Sequence, residues 1–191
     1  AKNIESKTDF LYGKTMYCDG DSVAKGTGTN ILGSDFYSYC NYITDTYNMT
    51  SVNKSVAGTT IAKQKNKTSP DDRSILERVR EMKGNYDIVL LEGGFNDLFQ
   101  KVKIGEVTDI NDKSGNYNEY TTAGALESIC YFLNENYADS LKLFVLCHTR
   151  NENPDQYKYW NTITKVLKKW NIAYVDISSE TDFCDINDEI T

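Results

Sequence analysis

The sequence predicts an α/β protein in which helices cover both faces of a parallel β-sheet. Short apolar segments alternate with segments whose apolar residues recur at helical spacing, from Lys14 to Ile177. The segment Asp87–Leu91 is apolar without alternation, as expected for a strand buried on both faces. Strands that alternate with helices favour right-handed crossovers and therefore a parallel sheet. The length of 191 residues suits one domain with a single core, and we assign residues 1–191 to it.

Each element is predicted from local pattern in chain order. The strands are expected at Lys14–Cys18, Thr50–Val56, Asp87–Leu91, Leu141–Cys147 and Ile172–Ile177. The helices are expected at Ser34–Tyr47, from Ser69-Pro70 through Met82, at Glu119–Tyr137, and from Asn153-Pro154 through Trp170. Serine followed by proline favours a helix start, because serine caps the first turn and proline fits into it. Residues 99–118 are rich in Gly, Asn, Asp and Lys, which predicts a long loop.

Composition argues against several classes of function. The formal net charge of −7 disfavours nucleic-acid binding, which requires clustered Lys and Arg. No apolar run approaches the ~18–20 residues that cross a bilayer, so we predict a soluble chain without a membrane span. A single histidine and the absence of Cys-x-x-Cys spacing argue against a metal site. The chain begins at Ala1, so both a cytoplasmic location and secretion after removal of a leader stay open. The pattern does not indicate an oligomeric state.

Three polar segments follow the first three predicted strands. Gly20-Asp21-Ser22 follows the first strand, Gly58 the second and Gly94-Phe95-Asn96-Asp97 the third. In parallel sheets the carboxyl ends of the strands bind ligands, so these segments are expected to meet there. A serine hydroxyl becomes a nucleophile when a neighbouring base takes its proton. The backbone N–H groups of Ser22 and Gly58 and the side-chain amide of Asn96 could stabilise an oxyanion.

These segments resemble the sequence blocks of the SGNH hydrolases, also called GDSL esterases and lipases. Gly20-Asp21-Ser22 followed by Gly26 is similar to the first block, Gly58 to the glycine of the second, and Gly94–Asp97 to the Gly-x-Asn-Asp of the third. The resemblance implies a three-layer α/β/α sandwich with a five-stranded parallel sheet in the flavodoxin-like order 2-1-3-4-5. It also implies hydrolysis of a carboxylic ester by Ser22, with no cofactor or metal. The substrate would be an acetylated carbohydrate or a short acyl ester. Asp21 and Asp97 are expected near the substrate pocket, with Asp97 supporting the Asn96 turn.

The general base of that family is the histidine of an Asp-x-x-His block after the fifth strand. No histidine follows Asp176 here, so this block and the last helix are expected to be missing from the sequence. The single histidine, His148, follows the fourth strand at the same sheet edge. In the order 2-1-3-4-5 it lies two strand spacings from Ser22, roughly 10 Å. A hydrogen bond needs ~2.6–3.2 Å, so His148 is expected to line the pocket wall or to have a structural role rather than to act as the base.

Two other functions stay open on the sequence. Asp19-Gly20-Asp21-Ser22-Val23 fits the opening of the haloacid-dehalogenase-type phosphatases, in which the first aspartate attacks phosphorus with bound magnesium. That function would rest on Asp19 and Asp21, and it leaves Gly94–Asp97 unexplained. The second alternative is a module that binds an acyl group or a sugar without turnover, because the expected base is absent.

Overall fold

The computed structural model describes residues 10–28, 37–67, 69, 73–147 and 154–177. The strands are β1 (Thr15–Asp19), β2 (Thr50–Asn53), β3 (Ile88–Glu92), β4 (Leu141–Leu146) and β5 (Ala173–Asp176). The helices are α1 (Ser22–Lys25), α2 (Tyr39–Thr46), α3 (Ile75–Arg80), α4 (Phe95–Phe99), α5 (Thr122–Asn136) and α6 (Pro154–Lys169).

The five strands form one sheet in the order β2-β1-β3-β4-β5, and all neighbouring strands are parallel. The predicted fold class and strand order are therefore confirmed. Cys18 in β1 is level with Asn53 in β2 and with Leu90 in β3. The chain thus leaves these three strands at one edge of the sheet, side by side.

Helices cover both faces of the sheet and produce three layers. One core contains Tyr17, Val89, Leu91 and Phe144 from the strands, packed against α3, α5 and α6. The other contains Met16, Cys18, Ile88, Leu90 and Val145, packed against α1 and α2. Every residue of β3 is buried, as expected for the middle strand of such a sandwich.

Several boundaries differ from the prediction, and at α3 and α5 local capping decides where the helix starts. Helix α3 begins at Ile75, and the start predicted at Ser69-Pro70 is wrong; Pro70 itself lies outside the described residues. Ser74 caps α3, because its side chain accepts from the Glu77 amide while Glu77 accepts from the Ser74 amide at 2.9 Å. Helix α5 begins after Thr121, whose side chain accepts from the Gly124 amide at 3.2 Å.

The loop predicted over residues 99–118 contains no strand or helix after Phe99. Thr108 of this loop binds to a buried ion pair between the helices. The pair is formed by Glu127 of α5 and Lys169 of α6, whose Oε1 and Nζ atoms are 2.5 Å apart. Thr108 of the loop donates to the same carboxylate from its hydroxyl at 2.9 Å and from its amide at 3.3 Å. Polar contacts therefore hold this loop against an otherwise apolar layer.

Over the part of the chain that the structure describes, no helix has the length and apolar character to cross a membrane. Three described cysteines, Cys18, Cys40 and Cys130, are buried free thiols.

Candidate active site

The turn between β1 and α1 presents Ser22 at the first residue of a short helix. Asp21 caps this helix, because its Oδ1 atom accepts from the amide of Val23 at 3.0 Å. Ser22 is half-buried, and its hydroxyl donates to the same Oδ1 atom across a long 3.4 Å contact. Gly26 ends the helix with φ +81°, and a Cβ there would lie 2.8 Å from the Ser38 backbone nitrogen. A glycine is therefore required where α1 ends.

Asn96 approaches the same carboxylate from β3's side of the site. Helix α4 begins after Gly94, whose φ of +110° lies in the left-handed region that favours glycine. The Asn96 side chain donates from Nδ2 to Asp21 Oδ2 at 2.9 Å. The Ser22 hydroxyl and the Asn96 amide thus both contact the Asp21 carboxylate, although 75 positions separate Asp21 and Asn96 in the chain.

Gly58 lies in an exposed turn after β2, with φ +77°. A Cβ on Gly58 would meet no atom within 4 Å, so its backbone conformation rather than crowding favours glycine. Gln100, which directly follows α4, donates from its side chain to the Gly58 carbonyl at 2.8 Å. Gln64 in turn donates to the Gln100 side-chain carbonyl at 2.8 Å. Exposed amides therefore connect the Gly58 turn to the helix that carries Asn96.

Asp97 belongs to α4, and it is fully buried. Its carboxylate accepts from the amides of Ile61 at 2.7 Å and Ala62 at 3.1 Å, and from the Thr122 hydroxyl at 3.2 Å. Burial raises the pKa of Asp97 to about 7, although these hydrogen bonds oppose the shift. Its contacts fit the expected support of the Asn96 turn and do not fit a place in the pocket lining. The remaining pocket candidate, His148, lies outside the described residues.

Arg78 of α3 is a residue that the sequence analysis missed. Its guanidinium contacts Asp19 at 2.7 Å, the Gly20 carbonyl at 2.9 Å and the Thr59 hydroxyl at 3.2 Å. It therefore joins the Ser22 turn to the segment after Gly58. The sequence signal is an arginine beside the inward-facing residues of an amphipathic helix.

The same contacts bear on the phosphatase alternative. Asp19 is fully buried, and both of its oxygens are occupied, by Arg78 at 2.7 Å and by the Tyr17 hydroxyl at 3.0 Å. Burial raises the pKa of Asp19 to about 6, and the Arg78 charge opposes that shift. A carboxylate enclosed in this way is not placed to attack phosphorus. In the described part of the chain, no group of three or more His, Cys, Asp or Glu side chains could hold a metal ion.

Glu92, the last residue of β3, is a second residue that the sequence analysis missed. Only 1% of it is exposed, and its Oε2 atom accepts from the Asp21 amide at 3.1 Å. Its Oε1 atom is buried and has no hydrogen-bond partner. Burial and the negative charge of Asp21 raise the pKa of Glu92 to about 9, against the backbone amides of Asp21 and Ala24. The signal in the sequence is an acidic residue that ends an otherwise apolar strand.

Apolar side chains border the polar site. Val23 follows Ser22 and is 39% exposed, and Phe95 precedes Asn96 and is 43% exposed. Phe99, one turn further along α4, is 77% exposed. The two phenylalanine rings stack with their centroids 6.5 Å apart and their planes inclined by 10°. An aromatic surface therefore lies beside the oxyanion-hole candidate Asn96.

Solved structures with the same fold include several esterases and lipases. A protein from Lactobacillus plantarum is 18% identical with a TM-score of 0.72, and the match covers 94% of this chain and 85% of that one. A Bacteroides ovatus protein described as a GDSL-like lipase is 18% identical with a TM-score of 0.66, covering 88% of this chain and 87% of that one. A family two carbohydrate esterase from Clostridium thermocellum, in complex with cellohexaose, is 13% identical with a TM-score of 0.58. That match covers 88% of this chain and 55% of the esterase.

Identities this low establish a common fold and nothing finer, and no curated protein sequence matches this chain. The sequence model of one family, described as GDSL-like lipase/acylhydrolase, matches residues 19–184. This match spans all three sequence segments and strands β2 to β5. The chain therefore belongs to the GDSL-like lipase/acylhydrolase family.

Proposed function

We propose that this chain is a serine esterase in which Ser22 attacks the carbonyl carbon of a carboxylic ester. The observation that carries the proposal is the shared contact of the Ser22 hydroxyl and the Asn96 amide with the Asp21 carboxylate, at 3.4 and 2.9 Å. A nucleophile and an oxyanion donor that touch one carboxylate lie within the reach of one small ester group. Membership of an acylhydrolase family agrees with this chemistry.

The donors expected around the oxyanion are available in this arrangement. The Asn96 amide has two N–H groups, and Asp21 accepts from it, which leaves one for a substrate oxygen. Within the described residues, the backbone N–H groups of Ser22 and Gly58 make no hydrogen bond. As Ser22 Oγ bonds to the carbonyl carbon, negative charge would develop on the carbonyl oxygen, where these donors stabilise it.

The reaction then follows the ordinary course of acyl transfer. The hydroxyl proton passes to a general base, the C–O bond of the ester breaks, and the alcohol leaves with a proton. Water then hydrolyses the acyl group from Ser22 Oγ. The family places the base in an Asp-x-x-His block, and no residue of the described chain is assigned to that role.

The surroundings of the site favour a substrate with a flat apolar face next to the ester. The stacked rings of Phe95 and Phe99 offer such a partner, and the exposed Val23 directly follows Ser22. The apolar face of a sugar ring packs well on aromatic rings, and a short acyl chain also packs there. A carbohydrate esterase with cellohexaose bound is among the proteins that share this fold. We therefore propose acetylated carbohydrates or short acyl esters as substrates.

The test uses the full protein and a fluorophosphonate that reacts with activated serines. We expect covalent labelling of Ser22, found by mass spectrometry, and hydrolysis of p-nitrophenyl acetate. Ser22→Ala should abolish both, because the nucleophile is removed. Ser114→Ala, at an exposed serine of the 99–118 loop, is the matched control and should behave as the wild type. Saturable ligand binding without labelling or turnover would instead identify a binding module and refute the esterase.

A further inference from the structure

We propose that Glu92 is a positioning residue for this reaction: its carboxyl group, held as the uncharged acid, fixes the turn that carries Ser22. The proposal rests on the proposed function, because the turn matters for catalysis only if Ser22 is the nucleophile. Its two parts are the placement of the turn by Glu92 and the uncharged state of the acid.

The backbone of the turn closes directly onto the Glu92 carboxyl group. Glu92 Oε2 accepts from the Asp21 amide at 3.1 Å, and this bond links β3 to the turn after β1. A Cβ at Gly20 would lie 2.8 Å from the same oxygen and 2.7 Å from the Ala24 Cβ. A side chain at position 20 would therefore not fit between Glu92 and Ala24, and the hydrogen bond holds the Asp21 amide against the Glu92 carboxyl group.

Asp21 transmits this placement to both reacting groups. Its amide is held by Glu92, while its carboxylate contacts the Ser22 hydroxyl and the Asn96 amide. A displacement of the Asp21 backbone therefore moves the nucleophile and the oxyanion donor relative to each other. Errors of about 1 Å in such placement typically cost on the order of 10² in rate.

The surroundings of Glu92 disfavour a charged carboxylate. The groups that face it are the Asp21 carboxylate from the turn and the Tyr39 hydroxyl from α2, with the thiols of Cys18 in β1 and Cys40 in α2 next to Tyr39. No cation among the described residues bonds to it, and the Arg78 guanidinium, which reaches the Gly20 carbonyl of the same turn, is paired with Asp19.

The buried oxygens of this cluster point to the same protonation state. Glu92 Oε1 and the Tyr39 hydroxyl are both buried without a hydrogen-bond partner. An unpaired charge costs far more to bury than a neutral acid, so the proton stays on Glu92. Burial and the Asp21 charge act in this direction on its pKa. The uncharged acid can still accept the Asp21 N–H, and this is all that positioning of the turn requires.

Ionisation of Glu92 would place a second negative charge against Asp21 and disturb the turn. We therefore expect kcat of the wild-type protein to fall above about pH 9, with little change in KM. Glu92→Ala removes the acceptor and should lower kcat about tenfold at pH 7. Glu92→Gln, the conservative variant, should restore kcat to within about threefold of wild type, because the amide oxygen accepts the same N–H.

The decisive experiment is the pH profile of kcat and KM for these three proteins, with Glu135→Gln on the exposed face of α5 as the matched control. The alkaline fall of kcat should disappear in Glu92→Gln and persist in Glu135→Gln. Persistence of the fall in Glu92→Gln, or a loss of kcat there as large as in Glu92→Ala, would overturn the proposal.

A second measurement does not depend on catalysis. In ¹⁵N-resolved NMR spectra, the Asp21 backbone amide and the Asn96 side-chain amide should shift together above about pH 9 in wild type and stay constant in Glu92→Gln. If no variant hydrolyses esters but these signals titrate together, the proposed function fails while the placement of the turn by Glu92 stands. If the signals do not respond to Glu92, the positioning role fails even in an active esterase.

Discussion

Among the residues that the structure describes, two glutamates are buried almost completely, and their surroundings are opposite. Glu127, between α5 and α6, has Lys169 at 2.5 Å and accepts twice from Thr108. Glu92, at the end of β3, accepts from one backbone N–H, has one buried oxygen without a partner and lies next to the Asp21 carboxylate. One glutamate fastens a loop to the helical layer, and the other lies under the turn that carries Ser22.

The difference shows how the two regions treat charge. Around Glu127 the negative charge is matched by the Lys169 cation. Nearby, Lys113 Nζ lies 3.6 Å from the centroid of the Trp170 ring in a cation–π contact. Around Glu92 and Asp21 two acidic groups share one small volume, which costs free energy because like charges repel. Perturbed acids of this kind concentrate at functional sites, and so the comparison itself supports the location of the active site.

The largest expected effect comes from breaking the matched pair. Lys169→Met leaves the Glu127 charge buried without its cation, so we expect a loss of about 3–5 kcal/mol in the free energy of unfolding. Urea denaturation at pH 7 measures it. The double variant Lys169→Met with Glu127→Leu should recover part of that loss, because no charge then remains buried. A loss under about 1 kcal/mol for Lys169→Met would show that the pair is hydrated.

A second effect, smaller for each pH unit and with a defined pH dependence, is expected at Glu92. Its pKa is raised in the folded state, to about 9 from 4.5, so between these values the unfolded chain binds fewer protons. The free energy of unfolding therefore falls as pH rises through this window, by at most about 1.4 kcal/mol per pH unit.

Glu92→Gln removes this slope, because glutamine stays uncharged in both states. Its stability relative to wild type should increase steadily from pH 5 to pH 9 in urea titrations. Glu127→Gln should instead destabilise the protein throughout this range, since it strips Lys169 of its carboxylate. Parallel pH curves for wild type and Glu92→Gln would contradict the contrast between the two glutamates.

The smallest effect on stability is expected at the exposed aromatic surface beside the site. Phe99→Ala should change the free energy of unfolding by less than about 0.5 kcal/mol, since the ring is 77% exposed. KM for an acetylated sugar should nevertheless rise several-fold, because a stacking partner is lost. Tyr42→Ala on α2, where the side chain is 63% exposed, is the matched control for steady-state kinetics. Equal KM values for both variants would remove Phe99 from the substrate surface.

The sheet and its functional edge could be predicted because their signals are local. The apolar run of β3 and the helical spacing in α5 each lie within a few residues, and chain order then determines the topology. Helices α1 and α4 were not predicted, because four and five residues are too few to show a helical period.

Arg78 and Glu92 were missed for a different reason. Arg78 meets Asp19 across 59 sequence positions, and Glu92 meets Asp21 across 71. No local sequence pattern around Arg78 or Glu92 indicates its partner, because each pair is brought together only when the sheet forms. The contacts of Arg78 and Glu92 with the turn that carries Ser22 are therefore known only from the structure, whereas Ser22, Gly58 and Asn96 could be predicted as site candidates from the sequence.

The surface amides beside Gly58 have a consequence for how the site admits a ligand. On its inner side, the segment after Gly58 is anchored by the buried carboxylate of Asp97. On its outer side, Gly58 is retained by Gln100, an exposed side chain for which water competes. Releasing that contact costs only ~1 kcal/mol and disturbs no core packing. The Gly58 turn can therefore open locally while the segment at Ile61 stays fixed, and amide exchange at Gly58 would be far faster than at Ile61.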